Sequence, residues 1–411
     1  MISDREKEYI RDLAKRQLEL ANSPLMEERK HLWLDHNEGK GQRPMIAMDE
    51  WHFFKEMCSE PRCTDALARE MEEQLVNQVM RVKLIGDDRV TQDFYKLEYG
   101  IAGPRGGLGQ KSVGAERGLG YHIIPQIEVI EEDFEKLSPT EYYYDKNGIE
   151  RKKAQIEEII GGILPVKAVN ISNVWGPSPM RDVIGLMGME NAYCSMVTEP
   201  GQFHRLMEFL TEDIIRQYRY EEENGCMYLN NGNDYTGSGN WCFSRELPGS
   251  DFDGHVRSRD TWGHLNAEDS AEISPEMFRE FVLPYQKRLA KEFGLVYYGC
   301  CEAVSRFWEA GVENIENIRK VSISNWCDEA FMGERLAGKR IIYSRKPSVN
   351  YLGVQKNFDE DAFRKYIQKT VGCTKGCKTE YIFRDVITLN GNMEKVRRAV
   401  EIVREETQES Y

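Results

Sequence analysis

Short apolar segments alternate with longer amphipathic segments along most of this chain, and eight of the short ones have the composition of strands. Runs of about four to eight apolar, aromatic and β-branched residues are typical of buried strands, whereas apolar residues at helical spacing indicate helices. Eight strand–helix units favour a parallel sheet closed into a (β/α)8 TIM barrel over an open, doubly wound sheet. The predicted strands span residues 43–49, 91–101, 163–171, 226–231, 295–300, 321–326, 340–344 and 380–386.

The same pattern predicts a single α/β domain, because one barrel of this kind accommodates a chain of 411 residues. Residues 1–42 combine charges with spaced apolar residues, so we expect an N-terminal helical extension. Residues 43–411 form the predicted barrel, with long loops such as 237–260 over the face where the strands end. Active sites of such barrels lie at the carboxyl ends of the strands.

Charge and cysteine content narrow the class of protein. The net charge of −14 disfavours nucleic acids and anionic membranes as partners, since both bind basic surfaces. No apolar run is long enough to cross a bilayer, and the charged N-terminus lacks the apolar core of a signal peptide. Ten cysteines in so long a chain form no disulfide framework and fit a reducing compartment. We therefore expect a soluble, cytoplasmic protein.

The strongest candidate site is the end of the fifth predicted strand, where Cys300, Cys301 and Glu302 follow one another. Thiolates beside a carboxylate suit a thiophilic metal such as zinc. Alternatively, the cysteines pack as small buried hydrophobes or form a strained disulfide with each other. His264 lies in a predicted loop before the helix that leads into this strand. It is a candidate metal ligand or general acid or base, unless it is a solvated loop histidine.

Two further strand ends carry polar side chains. Asn231, Asn233 and Asp234 follow the fourth strand, where they either orient a polar substrate, with Asp234 as an acid, or form a turn. Arg345 and Lys346 end the seventh strand. A cationic pair there suits a substrate carboxylate or phosphate, or else neutralises neighbouring acids.

The first and last strands complete the candidate set. Trp51 and His52 follow the first strand and are predicted to line the apolar floor of a substrate pocket, although aromatic residues near a strand end often belong to the core. Arg384 and Asp385 lie in the last predicted strand, where adjacent residues point to opposite sides. If Asp385 faces the interior, it is a metal ligand or a catalytic base.

Five stretches of the chain carry a family resemblance. They are Ser-Pro-Glu-Met-Phe-Arg-Glu-Phe-Val-Leu-Pro-Tyr from residue 274, Tyr-Gly-Cys-Cys-Glu from 298, Ser-Ile-Ser-Asn-Trp from 322, Tyr-Ser-Arg-Lys-Pro from 343 and Tyr-Ile-Phe-Arg-Asp-Val from 381. Together these stretches resemble the uroporphyrinogen decarboxylase-like superfamily, from about residue 41 to the C-terminus. The resemblance implies a (β/α)8 barrel and one of two chemistries.

One branch of that superfamily decarboxylates uroporphyrinogen without a cofactor and carries an Arg-Gln-Ala-Gly-Arg signature after its first strand. This chain has Asp-Glu-Trp-His from residue 49 in that place. The other branch comprises zinc-dependent methyltransferases that exchange methyl groups with a corrinoid protein, with zinc held by a His-x-Cys and a later Cys. Here Cys300 matches the Cys of the first motif, Tyr298 stands in place of its His, and Asp385 lies near the place of the later Cys. The chain looks most like the O- or N-demethylating subgroup of anaerobic metabolism.

The leading hypothesis is therefore a zinc-dependent methyltransferase that moves a methyl group from a small methyl ether or methylamine to a separate corrinoid (cobalamin-type) protein. Its metal ligands come from Cys300, Cys301, Glu302 and His264, and its catalytic residues from Asp234, Glu302 and Asp385. The predicted substrate-binding residues are Trp51, His52, Asn231, Asn233, Tyr298, Arg345 and Lys346. The alternatives are a metal-independent lyase that uses Asp234 or Asp49 as its acid, and a non-catalytic barrel that binds a tetrapyrrole or corrinoid. The sequence leaves the oligomeric state open.

Overall fold

The computed structural model describes residues 2–58, 60–114 and 120–408. Its strands are β1 (Met45–Met48), β2 (Tyr95–Tyr99), β3 (Ser112–Gly114), β4 (Tyr121–Ile123), β5 (Val166–Asn170), β6 (Tyr235–Thr236), β7 (Asn240–Trp241), β8 (Trp262–Leu265), β9 (Leu295–Tyr298), β10 (Ile318–Ile323), β11 (Ile342–Arg345) and β12 (Lys378–Phe383). Its α-helices are α1 (Asp4–Ala21), α2 (Pro24–Asn37), α3 (Phe54–Met57), α4 (Ala66–Leu84), α5 (Ile130–Asp133), α6 (Lys146–Ile160), α7 (Pro179–Met187), α8 (Met189–Thr198), α9 (Pro200–Glu223), α10 (Pro275–Phe281), α11 (Leu283–Ala290), α12 (Ser305–Trp308), α13 (Glu329–Leu336), α14 (Asn350–Gly353), α15 (Glu360–Cys373) and α16 (Glu394–Thr407).

The central element is a six-stranded parallel sheet with the order β1-β12-β11-β10-β9-β8. The first and last strands of the chain are therefore hydrogen-bonded neighbours, with Met48 opposite Phe383. β2 and β5 form a separate parallel pair, while β3–β4 and β6–β7 are short antiparallel hairpins. The prediction of an α/β fold with a parallel sheet is confirmed.

Seven of the eight predicted strands coincide with β1, β2, β5, β9, β10, β11 and β12. The prediction for residues 226–231 is wrong, because this segment is irregular. The strand that the sequence pattern does not predict is β8, whose Trp-Gly-His-Leu sequence has no β-branched residue. β8 pairs in parallel with β9 and places His264 opposite Tyr297. His264 is therefore a strand residue rather than a loop histidine.

Side chains provide hydrogen-bond partners for backbone groups on the two outer edges of the six-stranded sheet. On β1, the backbone N–H groups of Ile46 and Met48 donate to the carboxylates of Asp88 and Asp87, both at 2.9 Å. On β8, the amide of Asn230 donates to the carbonyl of Trp262 at 3.0 Å and accepts from its N–H at 2.8 Å. Buried backbone groups need such partners. The segments that lead towards β2 and away from β5 therefore flank the two edges of the sheet.

The strands have one apolar and one polar face. Tyr298, Val321 and Phe383 face helices in the apolar core, whereas the alternating residues Lys320 and Glu380 are buried on the other face and form an ion pair at 2.8 Å. Because successive strand residues point to opposite faces, most buried polar residues of the strands lie on the face away from the helices, together with apolar residues such as Ile382. The polar face is the one that concerns function.

The helices cover the apolar face in three groups. One core packs α7, α9, α10 and α11 on β8, β9 and β10. A second packs α15 and α16 on β1 and β12, and a third packs α1, α4 and α6 on β2 and β5. None of the described helices has an apolar stretch long enough to cross a lipid bilayer.

The predicted N-terminal extension is helical, as α1 and α2 show. α1 begins at a capping box, in which Ser3 and Glu6 satisfy each other's backbone N–H groups. Ile10 and Leu13 of α1 are buried in the core that also contains α4. The indole of Trp33 in α2 donates to the carbonyl of Asp88 at 2.8 Å. The extension is thus anchored beside the edge of β1.

Candidate functional site

The polar side chains of interest come from the carboxyl ends of the parallel strands. Asp49 follows β1, His264 lies in β8, Cys300 follows β9, Lys346 follows β11 and Arg384 follows β12. Because these strands are parallel, their carboxyl ends meet at one edge of the sheet. That edge is where the sequence predicts the site.

Cys300 and Cys301 lie side by side just beyond β9, with their sulfur atoms 3.7 Å apart. The carboxylate of Glu268 joins them, and the three ligand atoms lie within 4.8 Å of one another. Cys300 is half-buried and Cys301 is exposed. Glu268 is not among the ligands that the sequence predicts, so the structure adds a carboxylate to the predicted cysteine pair.

The turn that presents the thiols depends on Gly299. This residue has a φ of +94°, and a Cβ at its position would lie 2.7 Å from Cγ2 of Val304. Glycine adopts this conformation at little cost, whereas other residues do so with strain. The Gly-Cys-Cys sequence is therefore a structural requirement of the site as well as a source of ligands.

The two thiols differ in pKa because one donates a hydrogen bond to the other. The Cys300 thiol donates to the sulfur of Cys301, and this hydrogen bond lowers the pKa of Cys301 while it raises the pKa of Cys300. Cys301 is consequently the better thiolate of the pair. Thiolates rather than thiols bind metals and act as nucleophiles.

Glu302 faces away from the thiols towards backbone donors. One carboxylate oxygen accepts from the N–H of Ala267 and the other from the N–H of Cys300, each at 2.8 Å. Burial raises the pKa of Glu302 to about 7. The carboxylate thus ties the end of β8 to the end of β9, and its roles as ligand and catalyst stay predictions.

His264 is buried on the polar face with both ring nitrogens next to carbonyl oxygens. Nδ1 lies 2.9 Å from the oxygen of Trp175, and Nε2 lies 3.1 Å from the oxygen of Gly299. Burial lowers its pKa to about 4, so the ring is neutral and donates to only one of them. The three-residue cluster around the thiols does not include His264, and its predicted role as a ligand stays a prediction.

A second polar cluster surrounds Lys346. Its ammonium donates to the hydroxyl of Tyr297 at 2.6 Å and to the hydroxyl of Ser344 at 2.8 Å. The Tyr297 hydroxyl in turn donates to the carbonyl of Ser238 at 2.9 Å. The sequence pointed to Lys346 but missed Tyr297, the residue of β9 that shares its face.

A third cluster joins Asp49, Arg384 and Tyr235. The Asp49 carboxylate accepts from Nε of Arg384 at 3.1 Å and from the Tyr235 hydroxyl at 3.0 Å. Burial raises the pKa of Asp49, against the opposing effect of Arg384. The guanidinium also lies over the ring of Trp175, 5.3 Å from its centroid. Arg384, not Asp385, is therefore the buried residue of the pair.

Asp385 lies beyond the end of β12 with a φ of +60° and is exposed. Its carboxylate lies 3.9 Å from the guanidinium of Arg384. The charge of Asp385 also acts on Cys301. Asp385 thus lies near the thiols at the surface, and its predicted role as ligand or base stays a prediction.

Aromatic side chains line a cavity of about 630 Å³ next to Asp49 and Glu50. The Trp51 ring meets the Trp175 ring at 82° and the Tyr235 ring at 63°, with centroids 6.2 and 5.2 Å apart. Trp51 keeps 49% and Trp175 keeps 45% of its surface exposed. Trp51 therefore lines a pocket wall, while His52 is exposed beside it.

The asparagines after residue 230 hold loops together. Asn231 donates to the carbonyl of Leu247 at 2.7 Å, and Asn233 donates to the carbonyl of Val90 at 3.0 Å. Asp234 accepts from the N–H of Gly232 at 3.1 Å, which is the turn chemistry weighed from sequence. Asn233 is the one of these three that also lines the aromatic cavity.

Two predicted substrate-binding residues lie on the helix-facing side of the sheet. The Tyr298 hydroxyl donates to the side chain of Gln286 in α11 at 2.7 Å. Arg345 forms an ion pair with Glu329 in α13 at 3.0 Å and donates to the hydroxyl of Tyr366 in α15 at 2.6 Å. Both side chains brace helices, and the structure does not bring them to the polar face.

Comparisons with known proteins give little guidance. No protein-family model matches the sequence, and no curated protein matches it. Among solved structures, a methyltransferase from Methanosarcina mazei aligns with a TM-score of 0.49 at 11% identity, over 92% of this chain and 98% of that one. A likeness at this level assigns no activity or ligand to the chain.

Proposed function

We propose that this protein is a zinc-dependent methyltransferase, which moves a methyl group from a small methylated substrate to a corrinoid carried by a separate protein. The observation that carries the proposal is the group of Glu268, Cys300 and Cys301 at the carboxyl ends of the strands. The resemblance of the sequence to corrinoid-linked methyltransferases supplies the reaction class.

The donor geometry fits zinc. Two sulfur ligands of tetrahedral zinc, each about 2.3 Å from the metal, lie about 3.8 Å apart, and the two sulfur atoms here are separated by 3.7 Å. Two thiolates and one carboxylate amount to three protein ligands. Catalytic zinc sites have three such ligands and keep the fourth position for water or substrate.

Bound zinc would act as a Lewis acid on the oxygen or nitrogen that carries the methyl group, which improves the leaving group. The chain itself supplies the surroundings of the substrate. Trp51 and Trp175 line a pocket beside the strand ends, and Arg384, held by Asp49, provides a fixed positive charge over the Trp175 ring. These residues bind and orient the substrate.

We also infer that the eight parallel strands close into a TIM barrel. β1 and β12 are neighbours, as closure requires. The remaining gaps are bridged by the side chains of Asp87 and Asp88 at β1, by the Asn230 amide at β8, and by Asn170, whose amide donates to the Cys226 carbonyl at 3.2 Å. Closure would turn the polar face of the strands into the lumen.

Exposed apolar side chains surround the same end of the sheet and suit a docked protein. Trp326, 78% exposed, follows β10, and Val354 and Ile387 follow β11 and β12. Trp51 and Trp175 are exposed as well, and we call these five side chains the apolar rim, because exposed apolar side chains are typical of protein-binding surfaces. The corrinoid protein is the partner we propose for this rim. All ten cysteines are free thiols, which agrees with a cytoplasmic setting.

The test is metal content per chain, measured on protein purified without chelator. We expect about one zinc in the wild type, none in the Cys300→Ala/Cys301→Ala variant, and reduced occupancy in Glu268→Ala. Cys194→Ala is the matched control, since this thiol is exposed on α8 outside the site. A double variant that keeps its zinc would contradict the proposed ligands.

A metal-independent lyase is the second candidate, favoured by one observation. Asp49 is a buried carboxylate with its Oδ1 atom free of hydrogen bonds, and it lies beside Arg384 at the strand ends. A buried acid next to an arginine suits proton transfer to a decarboxylated carbon. Turnover that survives exhaustive chelation and is lost in Asp49→Asn would favour this alternative.

A further inference from the structure

Lys346 is a buried amine with one N–H to spare. Only 8% of its surface is exposed. Its ammonium has three N–H groups, and two of them are used by the hydroxyls of Tyr297 and Ser344. Because Tyr297 directs its own proton to the carbonyl of Ser238, its oxygen is left to accept from Lys346. The remaining N–H has no hydrogen-bond partner among the described residues.

The partners of Lys346 are neutral, which is unusual for a buried lysine. Within the described part of the chain, no carboxylate lies within the 4.0 Å of an ion pair. Burial lowers its pKa to about 7, opposed by Glu380 and reinforced by Arg384. The charged and titratable groups that face it are Tyr297 of β9, Lys320 of β10, Glu380 of β12, Arg384 after β12 and Asp49 after β1.

Lys320 provides the contrast. It is equally buried, on the strand between β9 and β11, yet its ammonium lies 2.8 Å from the carboxylate of Glu380, which also contacts His36 at 3.2 Å. That ion pair holds the positive charge in place. These two buried lysines of the parallel sheet therefore differ, since Lys320 is neutralised by an acid and Lys346 lies between hydroxyl groups at the end of a strand.

Lys346 lies at the same end of the parallel sheet as the thiols, two strands away. It spans β10 to touch Tyr297, and Tyr297 lies two residues before Gly299, whose carbonyl contacts His264. Neighbouring strands are about 4.8 Å apart, so a lysine side chain from β11 can meet a substrate held at the end of β9.

We propose that Lys346 donates the proton to the heteroatom that loses its methyl group, and that the substrate is accordingly a methyl ether. This inference rests on the proposed methyl transfer. The C–O bond breaks and both its electrons stay on oxygen, while the methyl carbon bonds to the acceptor, a cobalt(I) corrinoid. The oxygen takes a proton from Nζ and leaves as an alcohol or phenol, and Lys346 remains as a neutral amine.

The identity of the leaving group decides whether a proton is needed. An ether oxygen leaves as a costly alkoxide or phenolate unless it is protonated, whereas a quaternary ammonium leaves as a neutral amine. A donor that releases its proton near neutral pH is matched to the first case. A built-in proton donor therefore favours ethers over quaternary amines as substrates.

The test compares wild type with Lys346→Met, Lys346→Arg and the surface control Lys375→Met, with free cob(I)alamin as acceptor. The donors are methoxyacetate, 2-methoxyphenol and tetramethylammonium, and formation of methylcobalamin is followed from pH 6 to 9. We expect both Lys346 variants to lose about 100-fold or more in ether demethylation, as removal of a general acid does. The wild-type rate should fall about tenfold per pH unit above about pH 7, and that fall should be absent in both variants.

The Lys346→Arg variant shows whether Lys346 acts as a proton donor or only as a positive charge, because arginine keeps the charge but does not release a proton near neutral pH. A Lys346→Arg variant with the wild-type rate on the ethers overturns the inference, as does a wild type that demethylates tetramethylammonium faster than both ethers. Failure of the wild type with every donor instead refutes the proposed methyl transfer, and this inference with it. Circular dichroism of each variant shows whether it is folded.

Discussion

The buried amine of Lys346 makes a quantitative prediction about stability that needs no substrate. Replacement by methionine keeps much of the volume and removes the charge. The pKa of Lys346 falls from 10.5 in the unfolded chain to about 7 in the folded protein. Each pKa unit corresponds to about 1.4 kcal/mol. The charged amine therefore lowers the unfolding free energy of the wild type by up to about 5 kcal/mol. The Lys346→Met variant lacks this cost.

The sign of the pH dependence follows from proton counts. Below about pH 7 both states of the wild type bind the proton, and the full cost is present. Between about pH 7 and 10.5 the unfolded chain still binds it while the folded protein has released it, so wild-type stability rises with pH. Above that range the cost is gone. The variant should therefore be most stabilised relative to wild type at low pH.

The assay is urea unfolding of wild type and Lys346→Met at pH 6, 7, 8 and 9. The two hydrogen bonds lost to Tyr297 and Ser344 subtract about 1 kcal/mol each, but this loss is independent of pH. The difference in unfolding free energy should move by about 1.4 kcal/mol per pH unit above pH 7. In Lys375→Met it should stay flat. A constant difference across this range for Lys346→Met would refute the neutral-lysine argument.

Two further changes test the strand ends. In Glu302→Gln the amide nitrogen would replace one acceptor of the backbone N–H groups of Ala267 and Cys300, so we expect a loss of about 1–3 kcal/mol in unfolding free energy, measured by urea denaturation. In Gly299→Ala the new Cβ meets Val304 in a left-handed turn. We expect a loss of more than about 1 kcal/mol and a lower zinc content, measured on the purified variant.

Gly299→Ala has a matched control, and for each of the two changes one result would contradict the reasoning. Gly372→Ala has open space at its Cβ and lies within α15, so it should gain about 0.5–1 kcal/mol, as glycine-to-alanine changes in helices do. A Gly299→Ala variant as stable as this control would show that the turn is not strained. An unchanged unfolding free energy in Glu302→Gln would show that its carboxylate does not join β8 to β9.

Much of the fold is contained in local sequence patterns. Apolar runs such as 295–298 predict strands because the residues of a buried strand are mostly apolar. Capping residues locate helix starts in the same way. Asp328 precedes α13, and its carboxylate accepts from the N–H of Phe331 at 3.0 Å, as a capping aspartate does. A proline has the opposite effect, since the helical segment that begins at Pro275 is interrupted at Val282, just before Pro284.

Side-chain direction was harder to predict at strand ends. Tyr298 was selected because it replaces a family histidine, yet its neighbour Tyr297 shares the polar face with Lys346. Alternation along a strand would have shown this. Alternation also required that only one of Arg384 and Asp385 face inward. It could not say which, because the strand ends at residue 383 and Asp385 turns away with a positive φ.

Glu268 is absent from the predicted ligands for the same physical reason that β8 is absent from the predicted strands. Glu268 follows β8 directly, so it reaches the thiols only because β8 pairs with β9. With residues 262–265 assigned to a loop, nothing in the sequence brought Glu268 near Cys300. The ladder between β8 and β9 is therefore as important for the proposed zinc site as the ligands themselves.

That dependence can be tested at a residue that touches no ligand. Asn230 satisfies both backbone groups of Trp262 on the open edge of β8. Asn230→Leu would leave them without partners at a cost of about 1–3 kcal/mol each, and Glu268 would lose its fixed position. We expect lower stability and weaker zinc binding, measured by urea unfolding and competition with a chelating dye. If Asn230→Leu unfolds at lower urea but binds zinc as tightly as wild type, the position of Glu268 does not depend on the edge of β8.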